Sequence, residues 1–591
     1  MRTIFLFFIL IILIVNPNNF AVTKTWNGGT GTGRNWTTAG NWIPTGAPIA
    51  GDDIVFNTAG TITFSTLPGD VSYNSLAISS GNVILNKTAG GAMTLTLGGN
   101  TGTDFTLSNE ASLTIGTNVN ITLAANATAG IIGTLTINTG RNYNTNGTTV
   151  VTTVAGSIIN SGTVTNATAS KLVFSSGSTY QHSQNGGTIP TATWDANSTC
   201  LVTGTTTTNP TGFGQTFGHL TWNCPTQTVS ATLDAIFTLN GNFTLTSTGT
   251  GVFRIVSGTT RIARNFSQTG GTFRVAATSA RILNVGENFS ISGGTFLMTD
   301  NTAIGTLNVA GNFIHTGGTI TETSTGSGSI VFNGTSNQNY TGGGTILNTI
   351  NFTVNNSAGI TLLTSVIFPA GLTMTNGNIA LNGNTLTLGT TTANAGSLNW
   401  MNGFMVGSGS FTRWYSTAPI TIGNVLGLFP MGNVTDNRSV WIGGTPSTGG
   451  TVSVQHSNAT GTTALSFVEN SQTFDKRTNM SWTLSGANGF AGSTLSLRIQ
   501  GSGIPGINSF SDLNISLAST AADGTYSSPG GTTSNPQVNR AGLTQATLAN
   551  TFYVAATSSS PLPVELSSFS ASTIGSNVKL SWQTATEVNN Y

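Results

Sequence analysis

Two carboxylates, Asp300 and Glu322, lie close to one period apart in a stretch where the phrase Asn-Phe returns at positions 242, 265, 288 and 312. If each repeat is one coil, acids at one phase on adjacent coils come within the about 5–10 Å that glycoside hydrolysis asks of its two carboxyl groups. The local phrases argue against it. Asp300 sits in Thr-Asp-Asn-Thr, a turn, and Glu322 in Thr-Glu-Thr, which reads as an exposed strand. Both are expected to be solvated rather than catalytic. The other acids between residues 54 and 434 are Asp70, Asp104, Glu110, Asp195, Asp234 and Glu287, and none has a carboxylate partner at coil spacing. Glu287 takes the slot of Arg264 one copy earlier and Gly311 one copy later, variation that suits an outward position. Asp52-Asp53 falls in an N-terminal turn phrase. Gly98-Gly99-Asn100-Thr101-Gly102-Thr103-Asp104 nears a calcium-binding Gly/Asp nonapeptide, but one near miss in a chain with 76 glycines is a chance event.

Metal and nucleophile chemistry find no better footing. His182, His219, His315 and His456 show no ligand spacing. His315 replaces Gln268 and Ile291 at one repeat phase, which suggests a surface position. No G-x-S-x-G elbow occurs, and no cofactor is implied. Cys200 and Cys224 are separated by one repeat period, so they would stack on successive coils. A coil spacing of about 4.8 Å lies within disulfide reach. They are expected to form either a disulfide or a buried cysteine ladder.

The elements behind these positions are repeats. Asn-Phe recurs at Asn242-Phe243, Asn265-Phe266, Asn288-Phe289 and Asn312-Phe313, the last three extending to NFSQTGGTF, NFSISGGTF and NFIHTGGTI. Asn339-Tyr340-Thr341-Gly342-Gly343 is a looser fifth copy. Between copies, short β-branched or aromatic runs alternate with Gly/Asn/Thr turns, and no regularly spaced leucine supports a leucine-rich repeat. The fold class expected is all-β: a right-handed parallel β-helix over residues 51–403, one repeat per coil. Phe243, Phe266, Phe289 and Phe313 should form an aromatic file inside it, and the four asparagines a second ladder of amides. The paired glycines 270–271, 293–294 and 317–318 should sit at corners demanding positive φ. Residues 50–400 would make about fifteen coils, and a rod about 70 Å long. A capping segment is expected over residues 22–50, where Trp26, Trp36 and Trp42 cluster. From 404 to 557 short alternating strands with regular turns suggest a β-sandwich. Residues 558–563 read as a linker.

Composition narrows the function classes. The chain has 591 residues, of which 6% are charged, with 18 Lys+Arg against 17 Asp+Glu. A soluble domain ordinarily carries about 25%. So neutral a chain has no basic stripe for nucleic acid. Its Gly-rich, 37% hydrophobic makeup excludes both charge-driven disorder and long helices. Met1-Arg2-Thr3 followed by the apolar run 4–15 and Asn16-Pro17 has the layout of a secretory signal peptide, ending near Ala21. As a helix the run rises only about 18 Å, short for a bilayer. No later stretch is long and apolar enough to cross a membrane, so no transmembrane segment is expected after signal cleavage.

Two resemblances extend this reading. The opening TWNGGTGTGRNWTTAGNWIPTGAPIAGDDIVF resembles the start of bacterial secreted β-strand-repeat and autotransporter-like passenger proteins. LPVELSSFSA and LSWQTATEVNNY, near the end, resemble the fibronectin-III-like module that precedes the C-terminal sorting domain in Bacteroidota proteins of the type IX secretion class. That family continues with further strands and a sorting domain, whereas this sequence stops at Tyr591. Residues 564–591 are therefore expected to be the truncated start of such a module in a fragment. The resemblance implies outer-membrane passage by an export machinery, then surface attachment or release. Taken together, the expectation is a non-enzymatic, secreted or cell-surface protein, adhesin-like or a structural stalk, with surface glycans or matrix proteins as partners. A carbohydrate-binding or polysaccharide-degrading β-helix is the alternative. Thr-x-Thr pairs such as Thr94/Thr96 and Thr385/Thr387 are too irregularly spaced for an ice-binding face.

Overall fold

The computed structural model describes residues 21–562 and 566–584, apart from 100–101, 146–148, 150, 167, 233–237, 257, 324, 348 and 576. The expected signal peptide, all but its last residue, and Asp234 lie outside these residues, as does the end of the chain from 585. The protein is all-β, 52% strand and 3% helix, with a parallel β-solenoid of about 15 turns. It divides into two compact units, Met1–Val229 and Ser230–Tyr591.

In the first unit each turn contributes short strands to parallel sheets. One file runs Asp53–Phe56, Ser75–Ile78, Phe105–Leu107, Thr128–Ile131, Val151–Val154 and Leu172–Phe174. A second runs Thr61–Thr66, Gly81–Leu85, Ala111–Ile115, Thr134–Ile137, Ser157–Asn160, Thr179–His182, Thr199–Val202 and His219–Asn223. Strict alternation decides which side chains enter: Leu113 and Ile115 are buried while Ser112 and Thr114 face out. Turn length varies widely. Val83 lies opposite Leu113 but Cys200 lies opposite Leu220, so the first of these turns is half as long again as the second. Extra residues go into corners, where they leave strand register untouched. Over the first turns Thr23–Trp26 pairs antiparallel with Trp42–Ile43. Trp26, Trp36 and Trp42 are buried there against Phe56 and Phe64, with Trp–Trp centroids 5.0 and 5.2 Å apart. Their indole N–H groups donate to Gly29 O, Tyr73 OH and Trp36 O respectively, so the apolar plug leaves no indole donor unmet.

In the second unit the aromatic file is realised. Phe243, Phe266, Phe289, Phe313 and Tyr340 lie in register on successive parallel strands, with stacked centroids 5.4, 4.9, 5.3 and 5.2 Å apart. A second file of Phe253, Phe273 and Phe296 meets it edge-on: Phe266–Phe273 and Phe289–Phe296 are each at 5.0 Å. The two files grip each other with the T-shaped geometry that aromatic quadrupoles favour. The asparagines do ladder. Asn265 and Asn288 each donate both backbone N–H and amide to the Oδ1 of the asparagine one turn below, at 3.0–3.1 Å, and the Asn312 N–H donates to Asn288 Oδ1 at 2.9 Å. The corner glycines divide their work. Gly271, Gly294 and Gly318 have φ of +67°, +76° and +74°. Their predecessors do not; a Cβ on Gly270, Gly293 or Gly317 would instead lie 2.4 Å from a carbonyl oxygen one turn below. Only the second glycine of each pair is there for its φ, a correction to the expectation for both.

Parallel pairing gives way at one strand. Ser410–Tyr415 pairs parallel with Thr385–Leu388 on one edge and antiparallel with Gly450–Ser457 on the other. Beyond it the pairing is antiparallel, in a sheet that includes Ser481–Ala487 and Thr551–Ala556 and another built on Val440–Gly443, Leu495–Gln500 and Pro536–Leu543. Leu566–Ile574 and Asn577–Thr584 form an antiparallel hairpin in which Phe569 and Trp582 are exposed.

Candidate functional site

Asp300 and Glu322 do not form a carboxylate pair. The register sets Leu297 against Thr321, which places Asp300 two positions out of phase with Glu322. Asp300 ion-pairs with Arg274. Glu322 accepts from the Thr349 backbone N–H at 2.9 Å and from the Thr349 hydroxyl. Glu322 is also buried, not exposed as its Thr-Glu-Thr phrase suggests, because the strand ends at Thr321 and the segment holding Thr349 folds over it. Each acid is committed to a separate partner.

Other carboxylates act as turn clasps. Asp52 is buried and accepts from the N–H groups of Val22 and Ile49, and Asp53 from the Asn74 amide and Ser75 hydroxyl. Asp104, the acid of the calcium-like phrase, is buried and accepts from the N–H groups of Gly99 at 2.6 Å and Thr128 at 2.7 Å. Glu287 is exposed and accepts from Asn265 at the edge of the amide ladder. Among the described residues no three His, Cys, Asp or Glu side chains gather as a metal site.

The histidines are structural and mostly interior. His315 is buried, against the surface position its repeat phase suggested. It follows Phe313 by two in a strand and so shares its inward face. Its Nε2–H reaches Gly318 O at 3.3 Å, as the buried Gln268 amide reaches Gly271 O at 3.1 Å at the same phase of an earlier turn. His182 accepts at Nδ1 from Tyr180 OH and donates from Nε2 to Gly186 O. Burial pushes the basicity of both imidazoles down. Cys200 and Cys224 are buried and not bonded to each other. The local turns are shorter than the repeat period, so Cys200 stacks between Tyr180 and Leu220, and Cys224 falls past the end of the next strand. Burial raises both thiol pKa values, which keeps them protonated and unreactive.

Sequence reasoning passed over a polar groove in the antiparallel part of the second unit. A cavity of about 350 Å³ is lined by Asn433, Asp436, Arg438 and Asn458, and a more open one beside it by Asn433, His456 and Asn458. Arg438 is buried, its backbone carbonyl takes the Trp482 indole N–H at 2.8 Å, and its guanidinium is 3.3 Å from Asp436. Burial lowers its pKa and Asp436 opposes that shift. His456 packs 5.1 Å from the Trp482 ring and donates from Nδ1 to Ser481 O. Its pKa is pushed down to about 4, chiefly by burial, with Arg438 adding repulsion. A neutral imidazole and a paired Arg–Asp can hold a polar ligand by hydrogen bonds. No signal short of the tertiary fold brings residues 433–438 beside 456–458.

No family model, curated relative or solved structure matches the chain. Its function rests on its own geometry.

Proposed function

We propose that this is a non-enzymatic protein of the cell exterior, secreted or surface-attached, in which the solenoid serves as an adhesin-like or structural stalk. The observation that carries the reading is the use made of reactive side chains. Asp52, Asp104 and Glu322 clasp backbone N–H groups, and Asn242, Asn265 and Asn288 are spent on ladder bonds. A scaffold that commits its polar groups to length has few left for turnover. The signal-like opening and the type IX resemblance supply the address. The repeat favours a right-handed coil, the alternating strands with regular turns a β-sandwich between 404 and 557, and the type IX resemblance a fibronectin-III-like start from 564. Surface glycans and matrix proteins are the partners such a display would meet.

A carbohydrate-binding role is the second reading, favoured by the groove of Asn433, Asp436, Arg438 and Asn458. One assay separates the two from catalysis. The chain lacking residues 1–21 is incubated with a panel of polysaccharides and matrix proteins, and both retained protein and released reducing ends are scored. Retention without release is expected; release of sugar ends would overturn the non-enzymatic reading.

A further inference from the structure

Five of the chain's arginines (Arg254, Arg261, Arg264, Arg274 and Arg281) fall between positions 254 and 281, and from 254 to 300 only Glu287 and Asp300 oppose them. In a chain of net charge +1 that is a local concentration of positive charge. The fold tightens it. Arg254 and Arg274 are in register on adjacent parallel strands, on the outward face, about 4.8 Å apart along the stack. Like charges directly opposite on a sheet destabilise it. Asp300 offsets one of the two through its ion pair with Arg274. The Arg254 side chain has no hydrogen-bond or ion-pair partner among the described residues, its buried Nε included. Arg281, which opens the strand Arg281–Val285, donates from Nη1 to Ala280 O. These three arginines, with Ile255, Val256 and Thr278, line a recess of about 190 Å³.

We infer that this recess binds the anionic group of an acidic polysaccharide, a carboxylate or sulfate, with Arg254 and Arg281 as its ligands and Asp300 as an internal competitor for Arg274. The recess falls below the about 300 Å³ at which pockets begin to enclose a whole small molecule, so it suits one charged group on a larger chain lying across the surface. Guanidinium groups match such oxyanions in geometry and charge. On the same sheet face Thr272, two residues before Arg274, begins a file of hydroxyls, Thr272, Thr295, Thr319 and Thr345, that continues from the arginines over the following turns. A row of hydroxyls next to fixed cations is complementary to a polyhydroxylated polyanion. This inference rests on the reading of the chain as a surface-binding protein and names the class of glycan it would hold.

The test uses the chain lacking residues 1–21 in affinity electrophoresis against polygalacturonate, dextran sulfate, unsubstituted dextran and single-stranded DNA, at low and high NaCl. The acidic glycans should retard the protein, less so at high salt, while dextran does not. Whichever of polygalacturonate and dextran sulfate binds more tightly tells carboxylate from sulfate recognition. Arg254→Gln with Arg281→Gln should weaken retention at least tenfold at a melting temperature no lower than the parent's, since it relieves the like-charge pairing of Arg254 with Arg274. Arg254→Lys with Arg281→Lys should retain part of it. Asp300→Asn, which releases Arg274, should strengthen it several-fold. Unaltered retention of the doubly Gln-substituted protein, equal retention by dextran, or tighter retention by DNA would each overturn the inference. Such a failure leaves the adhesin reading standing on other ligands. Release of reducing ends would remove the non-enzymatic reading while leaving the site intact.

Discussion

At the scale of single residues, the interior of this protein holds bases it must keep uncharged. His182, His315 and His456 all have pKa values lowered by burial, His456 to about 4. Since the folded values lie below the unfolded one of about 6.5, the unfolded chain takes up protons first as pH falls. The stability of the folded state is therefore full above about pH 7 and declines as pH drops from about 6.5 towards 4. The fall of His456 alone corresponds to roughly 3 kcal/mol. Denaturant midpoints measured from pH 8 to pH 4 should be flat at the alkaline end and drop once the unfolded imidazoles begin to protonate, and His456→Gln should flatten the acid limb. A midpoint that rises on acidification would contradict it. The sequence alone already held the means to place His315 inside: it stands two positions beyond a ladder phenylalanine, and strand alternation carries that face inward. The variability of Gln268, Ile291 and His315 pointed the other way because three different side chains can fill one interior slot when two of them bond a corner carbonyl.

At the scale of the turn and strand, what the repeat made legible was the ladder, and what it concealed was the variation in coil length. From Asn242 to Phe313 each Asn-Phe phrase marks a turn of nearly constant length, and the aromatic and amide files follow directly. The first unit has the same alternation but turns of very unequal length, so the spacing of Cys200 and Cys224 did not mean one coil. The Asp300–Glu322 spacing misled for a related reason, since corners absorb residues without moving strand register. Corner chemistry can be tested directly. Gly294→Ala places a Cβ 2.3 Å from Gly271 O at a φ of +76°. It should cost about 2 kcal/mol or more, by the strain of a non-glycine residue in that region alone. Gly69→Ala, where a Cβ meets nothing within 4 Å, serves as the control and should change the melting temperature little. Equal effects of the two substitutions would show that the corner tolerates a side chain after all.

At the scale of the whole chain, the groove of residues 433–458 and the arginine recess were invisible in the sequence because both depend on segments brought together by the fold, whereas the solenoid itself was written in the repeat. The ladder of the second unit makes a further expectation concrete. Removing residues 266–288 would join Asn265 to Phe289, set Phe289 against Phe243 and return the amide bond of Asn265 to Asn242 unaltered. That deletion variant should fold, with one turn fewer and a melting temperature near that of the parent. Removing only 266–277, half a turn, should instead give insoluble protein. Circular dichroism and thermal melts of both would decide it. If whole coils can be removed in this way, they can also be gained. The near-identical phrases NFSQTGGTF and NFSISGGTF lie one coil apart and fill the same corner and file positions. Loss or gain of one copy would then shorten or lengthen the solenoid with its aromatic and amide files still in register, the Arg274–Asp300 ion pair being among the few contacts such a loss removes.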